Sequence, residues 1–262
     1  MLARIRGTIV LVYAAISMVM IFFGSLPFML LTGSGDLPIW LGRHVWGPVG
    51  LWLAGAKLDV VRRPEPPAGP AIFASNHESV LDIWVLFVVV PRSFRFIAKQ
   101  ELYRIPIFGW YMRMGGHIPV DRSNHARAVA SLAKAGAAVR GGTSIVVFPE
   151  GTRSRTGRVQ PFKKGPFVVA KEAGVPVIPI AISGSGAITP SHQLLVRPGT
   201  IRVAAGDPVD PAAFADKEEL LAAVRSRIVE LHRSIGGLGG DPGPGVAAGG
   251  VSRPGAPVRP AP

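Results

Sequence analysis

A histidine and an aspartate stand five residues apart in Asn76-His77-Glu78-Ser79-Val80-Leu81-Asp82, directly after the apolar run Ala71-Ile72-Phe73-Ala74. An alcohol that attacks an acyl group must lose its proton, and imidazole is the side chain whose ordinary pKa suits that task near neutrality. Asp82 would orient such a base. On a continuous α-helix, residues five apart lie roughly 140° around the axis and do not face each other, so the pair needs a turn between strand and helix, with His77 ahead of the helix. Ser79 and Asp82 also fit the two ends of a capping box that opens a helix over Ser79–Val90, stopped by Pro91. Taken that way, Ser79 and Asp82 are caps and His77 is a hydrogen-bonded turn residue. Both descriptions stand at this point.

A second reactive string, Phe148-Pro149-Glu150-Gly151-Thr152-Arg153-Ser154, follows the strand-like Ser144-Ile145-Val146-Val147. A loop of Gly, Thr and Arg at a strand end can approach an anion closely and grip it through a bidentate guanidinium. The alternative is an internal Glu150–Arg153 ion pair, with Glu150 holding the loop's shape. Lys99 and Arg122 each end a predicted strand, which brings them to the same sheet edge as His77 and Arg153.

These blocks resemble the glycerolipid acyltransferase family, most closely its 1-acyl-sn-glycerol-3-phosphate acyltransferases, over about residues 57–205. Asn76, His77 and Asp82 match the first block, Lys99 to Arg122 the second, Phe148 to Ser154 the third and Val177-Ile178-Pro179-Ile180 the fourth, in family order. The resemblance implies that His77 is the general base and that Asp82 supports it. It implies that Lys99, Arg122 and Arg153 bind the acceptor's phosphate, with Glu150, Gly151 and Thr152 in the same pocket and Asn76, Ser79 and Pro149 in support. The fourth block, with Pro179, would serve the acyl-donor side. The implied reaction moves an acyl chain from an acyl-CoA or acyl-carrier-protein thioester to the 2-hydroxyl of 1-acyl-sn-glycerol 3-phosphate, giving phosphatidate, with no cofactor besides the donor substrate. Glu78 stands where the family often has Gln, and Gly184-Ser185-Gly186 is looser than usual; neither departure touches the reactive groups.

The elements that must position these residues follow from composition. At 262 residues the chain can hold one large α/β domain and something smaller. It has no cysteine, which excludes disulfides, thiolate metal sites and a Cys nucleophile, and its six histidines show no ligand spacing, so no metal site is expected. A net charge of +13 and a pI near 11.1 call for an anionic partner, and a mean hydropathy of +0.35 points to the bilayer. Gly7 to Leu31 carries no charge and is long enough to cross or enter a membrane. A second stretch, Leu37 to Ala56, holds Trp40, Trp46 and Trp52 with Arg43 and His44, a composition suited to the interface. Joined through Thr32–Asp36, they predict a hydrophobic helical hairpin over residues 1–56, and the flanking basic residues predict attachment to the cytoplasmic side of the cell membrane.

From 57 to 235 the pattern alternates strand and helix, which predicts an α/β domain with a mainly parallel, helix-covered sheet. The predicted strands are Leu58–Val61, Ala71–Ser75, Phe94–Ala98, His117–Val120, Thr143–Phe148, Val177–Ile182 and Thr200–Ala204. Residues 236–262, dominated by Gly, Pro, Ala and Val, are expected to form a disordered tail. Three rival functions remain in view. A lipid hydrolase would use Ser79 or Ser185 as nucleophile, although Ser185 lacks the flanking glycines of Gly-x-Ser-x-Gly. A non-catalytic protein binding anionic lipid would be indifferent to His77, and a family member could act instead on glycerol 3-phosphate or another lysolipid. Nucleic-acid binding has no recognition helix or aromatic stacking pattern behind it.

Overall fold

The computed structural model describes residues 1–121, 125–191 and 193–241. Seven strands form one sheet: β1 Ala56–Arg62, β2 Ile72–Ser75, β3 Phe94–Lys99, β4 Ile118–Val120, β5 Ser144–Val147, β6 Val177–Ser183 and β7 Gly199–Ala205, in the order β1-β7-β6-β2-β5-β3-β4. Every neighbouring pair is parallel except β6 with β7. The sheet is thus the mainly parallel, helix-covered one expected. Its central strands β2, β5 and β6 are buried along their whole length, because helices cover both faces and a continuous apolar run is what such a strand needs.

Period-two alternation divides the core. Phe73, Phe94 and Val146 face α4 Leu81–Val89 and the N-terminal helices, whereas Ile72, Ala74, Ile145 and Val147 face α6 His125–Arg140, α7 Gly165–Ala173 and α9 Lys217–Ser234. The remaining helices are α1 Leu2–Thr32, α2 Asp36–Leu41, α3 Gly47–Leu53, α5 Phe108–Met114 and the single turn α8 Ser185–Ile188.

The hairpin is present, with its second arm bent: α2 runs through a π-helical turn, Gly42–Trp46, into α3. This arm sits hard against α4. A methyl group at Gly42 would lie 2.5 Å from the Phe87 ring and one at Gly50 2.7 Å from Trp84, so only glycine permits the approach. Its outer side leaves Trp40 and Trp52 exposed. Among the described residues, α1 is the one helix long and apolar enough to cross a membrane. It lies along the domain instead of projecting from it: Val196 N–H donates to Ala3 C=O at 3.0 Å near one end, and Phe22 and Met29 are buried toward the other.

Two boundaries differ from expectation. The helix after His77 begins at Leu81, two residues late, because Ser79 donates to Thr189 C=O and only weakly receives the Leu81 N–H, at 3.4 Å. Residues 236–241, assigned to the tail, are packed on the domain through backbone bonds that need no large side chain: Val159 N–H to Gly239 C=O at 2.8 Å and Asp241 N–H to Val159 C=O at 3.1 Å. Residues 242–262 lie outside the described residues.

Candidate active site

At the end of β2 the Asn76 side-chain amide takes the place of a strand residue, donating to Ile182 C=O and accepting from Ile182 N–H, each at 2.8 Å. The chain then leaves the sheet as a turn. His77 Nδ1 lies 2.8 Å from Asp82 Oδ2, and that same oxygen accepts the N–H groups of Glu78 at 2.7 Å and Ser79 at 2.8 Å. One buried carboxylate oxygen therefore holds the turn that precedes α4 and orients the imidazole; His77 is the hydrogen-bonded turn residue expected, whereas Val80, not Ser79, stands at the helix cap, without a side-chain cap bond. With Nδ1–H directed at Asp82, the lone pair sits on Nε2.

The loop after β5 closes around this histidine. The imidazole stacks on Phe148, with centroids 3.8 Å apart and planes 12° from parallel. His77 N–H donates to Glu150 Oε1 at 3.0 Å, and His77 C=O accepts from Ser154 N–H at 2.7 Å. Gly151 turns the loop with a φ of 77°, a conformation open chiefly to glycine. Pro149 C=O accepts from Lys163 N–H at 2.8 Å and fixes the loop's far side.

His77 lines a cavity of about 420 Å³. Its polar mouth is formed by His77, Lys99, Gly151, Thr152 and Arg153; its interior, on the α4 face of the sheet, by Met18, Ile21, Trp46, Phe87 and Phe96. Lys99 stands at the rim, half exposed, with Glu101 at 3.5 Å. Arg153 has no partner among the described residues, which removes the internal ion pair with Glu150 and leaves a guanidinium free for a substrate anion. Arg122 lies outside the described residues.

Two expected site residues are elsewhere. Glu150 is 3% exposed and sits behind His77, bonded to its backbone, so it does not meet a phosphate; burial, reinforced by the Asp82 and Glu78 carboxylates, pushes its carboxyl up to about 8. Pro179 is buried within β6, level with Ala74, and its C=O accepts from Gly206 N–H. The fourth block is therefore sheet core, and the cavity lies beyond its reach. The hydrolase alternative fails on geometry, since Ser79 and Ser185 are fully buried and no described serine hydroxyl bonds to His77.

Other residues enter the site without a sequence signal. Tyr111 and His117 line the cavity, though they read only as one helix aromatic and the first residue of a strand. His232, in α9, places Nε2 2.8 Å from Glu78 Oε1 and receives Gly239 N–H on Nδ1 at 3.1 Å, which ties the end of α9 to the residue beside His77.

The family model for acyltransferases matches residues 57–183. A chloroplastic 1-acyl-sn-glycerol-3-phosphate acyltransferase of Brassica napus is 39% identical over 163 residues, covering 62% of this chain and 46% of the relative. The 1-acyl-sn-glycerol-3-phosphate acyltransferase of Pseudomonas aeruginosa is 33% identical over 178 residues, covering 66% of this chain and 67% of the relative. The chain spans about half the length of the plant relatives. The crystal structure of the 1-acyl-sn-glycerophosphate acyltransferase of Thermotoga maritima superposes with a TM-score of 0.74 at 29% identity, over 89% of this chain and 96% of that one. The residues matched by the family model include the His77 turn and the Arg153 loop, and the chain belongs to the acyltransferase family that includes these enzymes.

Proposed function

We propose that the protein acylates the 2-hydroxyl of 1-acyl-sn-glycerol 3-phosphate, using an acyl-CoA or acyl-carrier-protein thioester, and so produces phosphatidate. One observation carries this reading: an Asp-oriented imidazole stands at the mouth of an apolar cavity that an arginine without a partner among the described residues also lines, as a reactive hydroxyl between a phosphate and an acyl chain requires. Arg153 and Lys99 hold the phosphate at the rim. His77 Nε2 takes the hydroxyl proton as the oxygen attacks the thioester carbon. Collapse of the tetrahedral intermediate breaks the C–S bond, and the proton passes from Nε2 to the departing thiolate. Asp82 supports the imidazolium between the two steps, and no acyl-enzyme forms.

The same reading places the protein on the cytoplasmic face of the cell membrane. The outward residues Ile5, Ile9, Ile16, Met20 and Phe23 of α1 recur at helical spacing and are exposed, while Gly7, Val10, Phe22 and Met29 face the domain. A helix held to the domain near both ends, with a second apolar stripe pointing out, suits one leaflet better than a full crossing.

The test is acyl transfer from a radiolabelled thioester to lysophosphatidate in detergent. Labelled phosphatidate should form with the wild type, fall by ~10²–10⁴-fold in kcat with His77→Ala, and need a raised acceptor concentration with Arg153→Ala. Full activity of His77→Ala would overturn the mechanism, and acylation of a different lysolipid would overturn the acceptor.

A further inference from the structure

The inner end of the cavity holds two polar groups that acyl transfer leaves idle. The Tyr111 and His117 rings lie 5.7 Å apart between centroids, both line the cavity, and neither is more than 8% exposed. Phe96 N–H donates to His117 Nδ1 at 3.0 Å. A ring nitrogen that receives an N–H carries no proton, so the proton of the neutral imidazole is on Nε2. Neither Nε2 nor the Tyr111 hydroxyl has a hydrogen-bond partner among the described residues. Both groups stay neutral at working pH, since burial pushes the phenol up to about 12 and the imidazole down to about 3.

Their depth rules out the reacting ester. Phe96 is level with Val146, Val146 with Phe73, and Ile97 with Ile118. His117 is thus four residues short of His77 along the strands and three strands across, roughly 15–20 Å away at the usual ~3.3 Å per residue and ~4.8 Å per strand. The surrounding walls, Ile21, Phe87, Phe96 and Met112, are apolar. A plain hydrocarbon chain there would leave an N–H and an O–H dry and unpaired, a cost of ~1–3 kcal/mol each.

We infer that Tyr111 and His117 form a recognition point for an oxygen carried partway along the acyl chain, so that the cavity selects hydroxyl- or keto-bearing chains over plain ones. This rests on the acyl-chain reading of the cavity but not on catalysis. The His117 N–H donates to the substituent oxygen, and the Tyr111 hydroxyl donates to a keto oxygen or accepts from a hydroxyl.

The experiment measures binding to the intact protein of long saturated chains with and without a hydroxyl placed roughly 15–20 Å from the carboxyl carbon, the depth of His117, each supplied as the lysophosphatidate and as the CoA thioester. The hydroxylated chain should bind about tenfold tighter in at least one of the two forms, the effect of a single hydrogen bond. Tyr111→Phe keeps the ring packed on Phe22 and Phe108, and His117→Asn keeps an acceptor for Phe96 N–H; together they should abolish the preference. Equal affinity for both chains in both forms, no binding of any chain, or a preference that survives in the double variant overturns the assignment. A preference that disappears in the variants, in a protein that acylates nothing, overturns only the acyl-transfer reading.

Discussion

Asp82 Oδ2 accepts three hydrogens, two from the backbone turn and one from His77, and two substitutions separate these duties. Asp82→Asn keeps an oxygen for the backbone N–H groups but loses the charge that supports an imidazolium. It should fold with little loss while kcat falls by ~10²-fold or more. Asp82→Ala removes the acceptor as well, leaves two buried N–H groups bare, and should cost an additional ~1–3 kcal/mol in denaturant unfolding. Glu150 supplies a pH signature. Its folded carboxyl titrates at about 8 against an ordinary 4.5, so the folded chain binds that proton more tightly than the unfolded one. Stability therefore falls as pH rises from about 4.5 to about 8. Glu150→Gln retains an oxygen for His77 N–H and cannot ionise; relative to wild type it should gain stability across that window, by thermal unfolding at stepped pH, and show no gain below it.

At the scale of elements, the contact of α3 with α4 depends on the missing side chain at Gly50. Gly50→Ala drives a methyl into Trp84, which should cost ~1–3 kcal/mol. It should also weaken substrate binding before it slows turnover, because the same arm carries Trp46 into the cavity wall. All seven strands, the helix after His77 and the N-terminal hairpin were legible in the sequence, for a physical reason: helix-covered parallel strands must be apolar throughout, and Pro and Gly mark where they stop. The His77–Asp82 contact was legible because five-residue spacing has one economical solution, a turn leading into a helix. Glu150 and Pro179 were misplaced because a motif shows which residues recur together without showing which of them face the cavity and which hold up its wall. Tyr111, His117 and His232 gave no sign, since Tyr111 meets the His117 ring, His117 meets Phe96, and His232 meets Glu78 and Gly239, each from another element, and no local pattern encodes those meetings.

For the whole molecule, the outer stripe of α1, the exposed Trp40 and Trp52, and the +13 charge predict binding to anionic vesicles. Replacing Ile9 and Met20 by Asp should release the protein from phosphatidylglycerol vesicles in a sedimentation assay, and raised salt should weaken wild-type binding without abolishing it. Retention of the double variant on the vesicles would assign the attachment to another face. The contacts that seat α1 and β1 also bear on how the chain is made. The first strand has one neighbour in the sheet, β7, which is the last strand, and Ala3 is bonded to Val196 just before it. On the ribosome α1 soon meets the second arm of the hairpin, through Tyr13 and Trp46, but β1 waits for nearly the whole domain before its sheet neighbour exists. The outer stripe of α1 stays exposed even in the finished fold and has the bilayer as its natural holding place, so membrane contact during synthesis would shield the nascent chain from aggregation until β7 closes the sheet.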